Sequence, residues 1–187
     1  MTGPADSFRP LGRGPAFSAA NKLERVVWRV AWLLLARFTP PPLAGWRRFL
    51  LRAFGARIGA GAKVYGSARI WLPRHLEIGE GAIVGPGAKL YNQGQIAIGP
   101  FSVISQRAFL CASTHRTSDP DFALETRPIA LGQGCWVAAE AFVGPGVTMG
   151  DGAVLAARAA LFEDAEPMAI YRGNPATPIG RRRFEQS

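Results

Sequence analysis

The chain is poor in the residues that metal centres and disulfide frameworks need. Its 187 residues hold two cysteines, Cys111 and Cys135, and two histidines, His75 and His115. Two cysteines are too few for a disulfide framework or a thiolate cluster, which points to a reducing compartment. Two histidines forty residues apart fall short of the three protein ligands of a catalytic zinc site, so no metal is expected. A long hydrophobic run is missing as well. The best stretch, residues 26–38, is shorter than the roughly 20 apolar residues of a spanning helix and is broken by Arg29 and Arg37. Thr39-Pro40-Pro41-Pro42 follows where a removable leader would carry a small-residue cleavage site. These absences favour a cytoplasmic protein.

Acidic residues are the scarcer charge, 13 against 22 Lys+Arg, most of them Arg, for a net +9. An anionic partner fits that sign: a phosphorylated cofactor, a membrane surface or nucleic acid. No reader motif accompanies the charge, so nucleic acid is not expected.

What the chain has in abundance is a six-residue period. From Ile58 an aliphatic residue returns every sixth position, often followed by Gly: Ile58-Gly59, Val64, Ile78-Gly79, Val84-Gly85, Leu90, Ile98-Gly99, Ile104, Leu110, Leu131-Gly132, Val137, Val143-Gly144, Met149-Gly150, Leu155 and Leu161. Four residues after each comes a small side chain: Ala62, Ala68, Ala82, Ala88, Ser102, Ala108, Thr114, Cys135, Ala141, Val147, Ala153, Ala159 and Ala165. Two registers in step describe a triangular prism of short strands, with aliphatic and small residues pointing inward and Gly serving the turns through its freedom of backbone angle. An amphipathic helix would need spacings of three and four, and a sandwich would show turn clusters every 8 to 12 residues. The fold class is therefore all-β, a parallel β-helix over residues 56–170. Two-residue slips before Ile78 and Ile98 read as corner bulges. The polar, Pro-flanked interruption at 116–128 reads as a functional loop leaving the prism.

Outside the repeat, residues 1–19 are rich in Gly, Pro and Ser and read as disordered. Residues 20–55 read as two basic amphipathic helices, the first capped by Asn21 and stopped by the Pro run, the second ending at Gly55. Their Trp28, Trp32, Leu33 and Trp46 interleave with Arg25, Arg29, Arg47, Arg48 and Arg52, which suits either the open end of the prism or an anionic bilayer. Residues 171–187 read as a loop and a basic tail.

Further motifs narrow the reading. Ser105-Gln106-Arg107, Leu110-Cys111, Ser113-Thr114-His115 and Asp119-Pro120-Asp121-Phe122 resemble the catalytic stretch of hexapeptide-repeat acetyltransferases. Gly134-Cys135-Trp136-Val137, Val143-Gly144-Pro145-Gly146-Val147-Thr148 and Gly173-Asn174-Pro175-Ala176 are similar to the acetyl-CoA half of that family. The resemblance is to colanic acid biosynthesis acetyltransferases, with galactoside and nodulation-factor acetyltransferases as more distant relatives. It implies a left-handed winding, a homotrimer with sites between subunits, acetyl-CoA as donor and a sugar or lipid-linked oligosaccharide as acceptor.

The chemistry of such a transfer needs a base, because a neutral hydroxyl is a poor nucleophile toward a thioester. His115, after an inward Thr114 and at the departure of the long loop, matches the family's catalytic histidine, while His75 reads as a corner residue. Trp136 is expected to face outward, beside the thioester or in subunit packing. Backbone N–H groups near Ala138 or Ala139 suit a tetrahedral oxyanion. The resemblance extends the acetyl-CoA site to Ala156, Arg172 and Pro175, Arg172 serving either the CoA phosphates or solvent. Asn92, expected outward, is a candidate acceptor ligand or a turn residue. Asp119 and Asp121 either orient His115, contact the sugar or cap the loop. Cys111 lacks an evident activating group, which favours direct transfer over a covalent intermediate. The competing readings are a non-catalytic β-helix scaffold and a transferase with a non-sugar or amino-sugar acceptor.

Overall fold

The computed structural model describes residues 17–184. Three parallel sheets form the sides of a prism. Face 1 stacks Arg57–Ile58, Leu76–Ile78, Ile96–Ile98, Ile129–Leu131 and Thr148–Met149. Face 2 runs from Lys63–Val64 through Trp136–Val137 and Val154–Leu155 to Ala169–Gly173, and face 3 from Arg69–Ile70 through Phe109–Cys111 to Ala160–Leu161. Each strand pairs in register with the strand one coil later, Val64 with Val84 and Val137 with Leu155 for example. Both sequence registers point inward: Val84, Ala82, Ile104, Ala108 and Leu110 are wholly buried. Thr114 departs from the pattern. Ala112 and Ser113 are the last buried residues there, and Thr114 already belongs to a strand that has left the prism.

The glycines after the aliphatic residues serve a different purpose from the one their sequence context suggests. A Cβ on Gly79 would lie 2.5 Å from Pro100 N of the next coil, so these positions are bare because backbone passes directly over them. Left-handed angles fall two residues further on, at Gly61, Gly81, Gly134 and Gly152 and also at Phe101 and Met168.

The first coil would expose the edges of all three sheets, and the helices cover them. Helix α1, Ala19–Leu35, starts on Ser18, whose hydroxyl accepts the Asn21 N–H; Asn21 lies inside the helix, not at its cap. Helix α2 is Ala44–Ala53. Trp28 and Trp32 are buried and donate their indole N–H groups to Ile70 O and Gly66 O, both at 3.0 Å. Arg47 is buried and gives its guanidinium to Val64 O, Pro40 O, Pro41 O and Thr39, while Arg48 reaches Ala62 O and Arg52 reaches Ile58 O. Side-chain donors thus replace the missing strand for carbonyls that would otherwise be open edge acceptors. The opposite side of α1 is apolar too: Leu23, Val26, Val27, Val30, Leu33 and Leu34 are exposed at helical spacing. No helix among the described residues is long and apolar enough to cross a membrane.

At the other end, residues 169–181 are ordered rather than a loose tail. Ala169–Gly173 and Ala176–Arg181 form an antiparallel hairpin that extends face 2.

Candidate active site

The corner joining face 3 to face 1 carries all three interruptions of the period. Its first bulge is a short turn at Pro73–His75. The second, after Lys89–Tyr91, holds Asn92, which corrects an expectation: Asn92 faces inward and is wholly buried. Its Oδ1 accepts the N–H groups of Trp71 and Leu72, and its Nδ2 donates to Leu72 O at 2.6 Å. The amide clamps one bulge onto the other and has no face for an acceptor. His75 meets Asn92 O through Nδ1 at 3.3 Å and is a corner residue.

The third interruption is a hairpin rather than an irregular loop. Ser113–His115 pairs antiparallel with Leu124–Thr126, placing His115 opposite Leu124 at the hairpin's outer end. Residues between them close on themselves: Arg116 N–H reaches Ala123 O, Asp119 N–H reaches Arg116 O, and Asp119 Oδ1 accepts Asp121 N–H at 3.0 Å. Asp119 is buried, as suits a loop cap. Phe122 takes a left-handed φ of 48°, a costly angle for an aromatic residue, and its carbonyl lies 2.6 Å from His115 Nδ1. A carbonyl only accepts, so Nδ1 carries a proton, and in the neutral imidazole the lone pair is on Nε2. The group orienting the histidine through this bond is therefore a backbone carbonyl, whereas the sequence offered Asp119 and Asp121.

A cavity of about 330 Å³ opens at His115, lined by Tyr91, Gln93, Cys111 and Leu124 among others. Gln93 is buried and its Nε2 donates to Tyr91 Oη at 2.9 Å, while its Oε1 is buried without a partner. If the amide is turned over, the unpartnered atom becomes its nitrogen, so one polar atom is unused either way. Burial, and then the neighbouring Cys111, push the Tyr91 hydroxyl above its ordinary pKa, with Arg25 opposing, so it stays a neutral donor. Cys111 lines the same cavity with Sγ 3.3 Å from Ser113 O. Gln93 and Tyr91 were not singled out from sequence; the signal lay one residue either side of Asn92.

A second cavity, about 540 Å³, lies along face 2 and its corner with face 3. Trp136 is 46% exposed there, with its indole N–H donated to Ser105 Oγ at 3.0 Å. Ala138, Ala139, Ala156 and Ala157 supply a wall without side-chain bulk. The Ala138 N–H is spent on Leu155 O and the Ala156 N–H on Tyr171 O, both at 2.9 Å, so of the two positions read from the sequence, Ala138 and Ala139, Ala139 is the one whose N–H bonds no described backbone carbonyl. Arg172 and Pro175 sit at the turn of the C-terminal hairpin and do not line this cavity. The arginine that does is Arg182, half-buried, with Nη1 donating to Gly134 O at 2.8 Å. Cys135 is buried, its thiol pushed up by that burial, and is inert. No group of three His, Cys, Asp or Glu residues able to hold a metal gathers among the described residues.

The structure thus holds a histidine bonded through Nδ1 to a carbonyl beside one cavity, and a small-residue groove beside another. The chain is 39% identical over 166 residues to the "Putative colanic acid biosynthesis acetyltransferase WcaF" of Escherichia coli (strain K12), covering 89% of this chain and 91% of that protein. No family model matches the chain. Among solved structures, a maltose O-acetyltransferase from Clostridium difficile 630 superposes with a TM-score of 0.80 at 19% identity, covering 89% and 90% of the two chains. A hexapeptide-repeat acetyltransferase of Vibrio cholerae in complex with acetyl-CoA gives 0.82 at 18% identity, covering 91% and 93%. The chain belongs to the hexapeptide-repeat acetyltransferases, and its prism is the left-handed β-helix of that fold.

Proposed function

We propose that the protein is an acetyl-CoA-dependent O-acetyltransferase that acetylates a sugar hydroxyl in the biosynthesis of a surface polysaccharide, with His115 as general base. The observation that carries this reading is the Nδ1 bond to Phe122 O, which leaves Nε2 as an acceptor beside a cavity lined by polar groups. Nε2 takes the hydroxyl proton as the sugar oxygen attacks the thioester carbonyl. The tetrahedral oxyanion is held by the Ala139 N–H, and its collapse expels the CoA thiolate, which recovers the proton from His115. No covalent enzyme intermediate is needed. Gln93 and Tyr91 bind the acceptor, with Asp121 at the loop that bounds it, and Trp136, Ala139, Ala156 and Arg182 flank the acetyl-CoA.

His115 stands at the corner of faces 3 and 1, whereas the acetyl-CoA groove lies at the corner of faces 2 and 3. That separation supports a homotrimer in which His115 of one copy faces the groove of the next, where Arg172 and Pro175 of a neighbouring copy also come within reach of the ligand. The exposed apolar stripe of α1, together with the exposed Arg29, supports a cytoplasmic enzyme in peripheral contact with the inner face of an anionic membrane, testable by liposome sedimentation. The central experiment is release of free CoA thiol from acetyl-CoA with a panel of hexoses, deoxyhexoses, amino sugars and lipid-linked oligosaccharides. Acceptor-dependent release by the wild type should fall about 10²- to 10⁴-fold in His115→Ala. Absence of both release and acetyl-CoA binding would leave a non-catalytic scaffold.

A further inference from the structure

Next to the His115 cavity lies a second hollow of about 350 Å³ on face 3, beneath α1. Four cations line it. Arg25 and Arg29 stand one turn apart on α1, and Arg69 and Lys89 are register partners on successive coils. Among the described residues none of the four forms an ion pair with a carboxylate; the nearby Glu24 is taken by Arg74 at 2.8 Å. Like charges directly opposed in a ladder, or one turn apart on a helix, are unfavourable unless something neutralises them. The floor is aromatic. Arg25 lies 3.9 Å over the Trp71 ring, and Trp71 meets Tyr91 edge-on at 4.7 Å. Tyr91 also lines the His115 cavity, so it is a wall common to both hollows.

We infer that this basic, aromatic-floored hollow binds the phosphoryl end of the acceptor, so that the enzyme acetylates a saccharide carried as a phosphate or diphosphate ester rather than a free sugar. The inference rests on the acetyltransferase reading for the identity of the acceptor, but not for the anion site itself. With the sugar hydroxyl at His115 Nε2, the ester extends past Tyr91 to where the Arg side chains present forked donors and Lys89 a point charge. The ester is bound and not cleaved. Two sources share this chemistry: a nucleoside diphosphate sugar, and a sugar on a diphosphate-linked lipid, whose chain would leave the hollow beside the apolar stripe of α1.

The first test is calorimetric titration of the intact protein with inorganic pyrophosphate and with farnesyl diphosphate at low salt. Binding by the wild type should weaken about tenfold to a hundredfold in Arg69→Gln/Lys89→Gln, the loss of one or two charge-assisted hydrogen bonds. Both side chains are exposed, and unchanged acetyl-CoA affinity in the double variant checks that it is folded. No binding of either probe, or equal binding by wild type and variant, overturns the inference. The thiol-release assay then compares a free hexose with its nucleoside diphosphate and polyprenyl diphosphate esters. A lower KM for one ester, lost in the double variant, supports the inference and identifies the source. Equal use of the free sugar, still dependent on His115, overturns it while the acetyltransferase reading stands. Pyrophosphate binding without transfer to any acceptor keeps the anion site and counts against the acetyltransferase reading instead.

Discussion

If each site draws His115 from one copy and the acetyl-CoA groove from the next, two inactive variants should repair one another. His115→Ala removes the base. Ala156→Phe leaves the base intact but fills the groove whose wall is formed by Ala138, Ala139, Ala156 and Ala157. Ala156 is half-exposed, so the larger ring projects into the cavity without entering the prism core. Each variant alone should fall at least about a hundredfold below wild type, the lower bound for loss of a general base. In trimers assembled at random from equal amounts of both, a site is intact when its histidine comes from an Ala156→Phe copy and its groove from a His115→Ala copy. Purification through both tags leaves mixed trimers alone, and each of these, whichever variant it holds twice, has one intact site in three, so about one third of wild-type activity should return. Co-expression with two affinity tags, tandem purification and thiol release make the measurement, with separately purified variants mixed without exchange as the baseline. Mixed trimers no more active than that baseline would refute the shared site and place base and groove in one chain.

Other predictions concern single positions. Gln93→Leu removes the amide whose Oε1 lacks a partner beside His115 and should raise the KM for the acceptor by about tenfold, one hydrogen bond's worth, while the KM for acetyl-CoA and the melting temperature hold; an unchanged acceptor KM would exclude Gln93 from binding. Gly79→Ala should destabilise by about 3 kcal/mol, because its Cβ meets backbone of the next coil at 2.5 Å. Gly134→Ala should cost only about 1 kcal/mol of left-handed strain, since nothing lies within 4 Å of its Cβ, and melting at fixed protein concentration ranks the two. The hydrogen bond from Arg158, with Arg107 beside it, holds the Glu140 carboxyl below the usual range. Its stabilising effect is therefore present above the unfolded pKa of about 4.3 and lost as pH falls through the lower folded value. Glu140→Gln should lower the melting temperature at neutral pH and match wild type in acid; a difference persisting in acid would refute the ion-pair account.

Residue type is readable from the sequence, whereas the direction in which a side chain points at an interruption of the repeat is not. His115 stands out in the sequence as the candidate base because the chain has two histidines and only one stands at the long interruption. What orients it is a carbonyl on Phe122, and carbonyls carry no sequence signature. Asn92 and Gln93 are neighbours with similar side chains, yet one is wholly buried in a clamp and the other faces the cavity. Which of the two faces the cavity is set by the two-residue bulge, and a bulge breaks the alternation from which direction is read. The helix tryptophans and arginines were compatible with two surroundings by composition; donors aimed at edge carbonyls assign Trp28, Trp32, Arg47, Arg48 and Arg52 to the prism end, while Arg29 and Leu33 stay on the exposed side.

By itself the sequence determined the repeating frame, the six-residue period and the two inward registers, because each depends only on side-chain size recurring at a fixed spacing. The tertiary structure alone decided which surfaces come together. It brought Arg69 against Lys89 from residues twenty apart, set Arg25 over Trp71, and placed His115 and the groove beside Trp136 at different corners of the prism. These relations arise between coils and between helix and sheet, where contact is made by winding and packing and leaves no period in the chain.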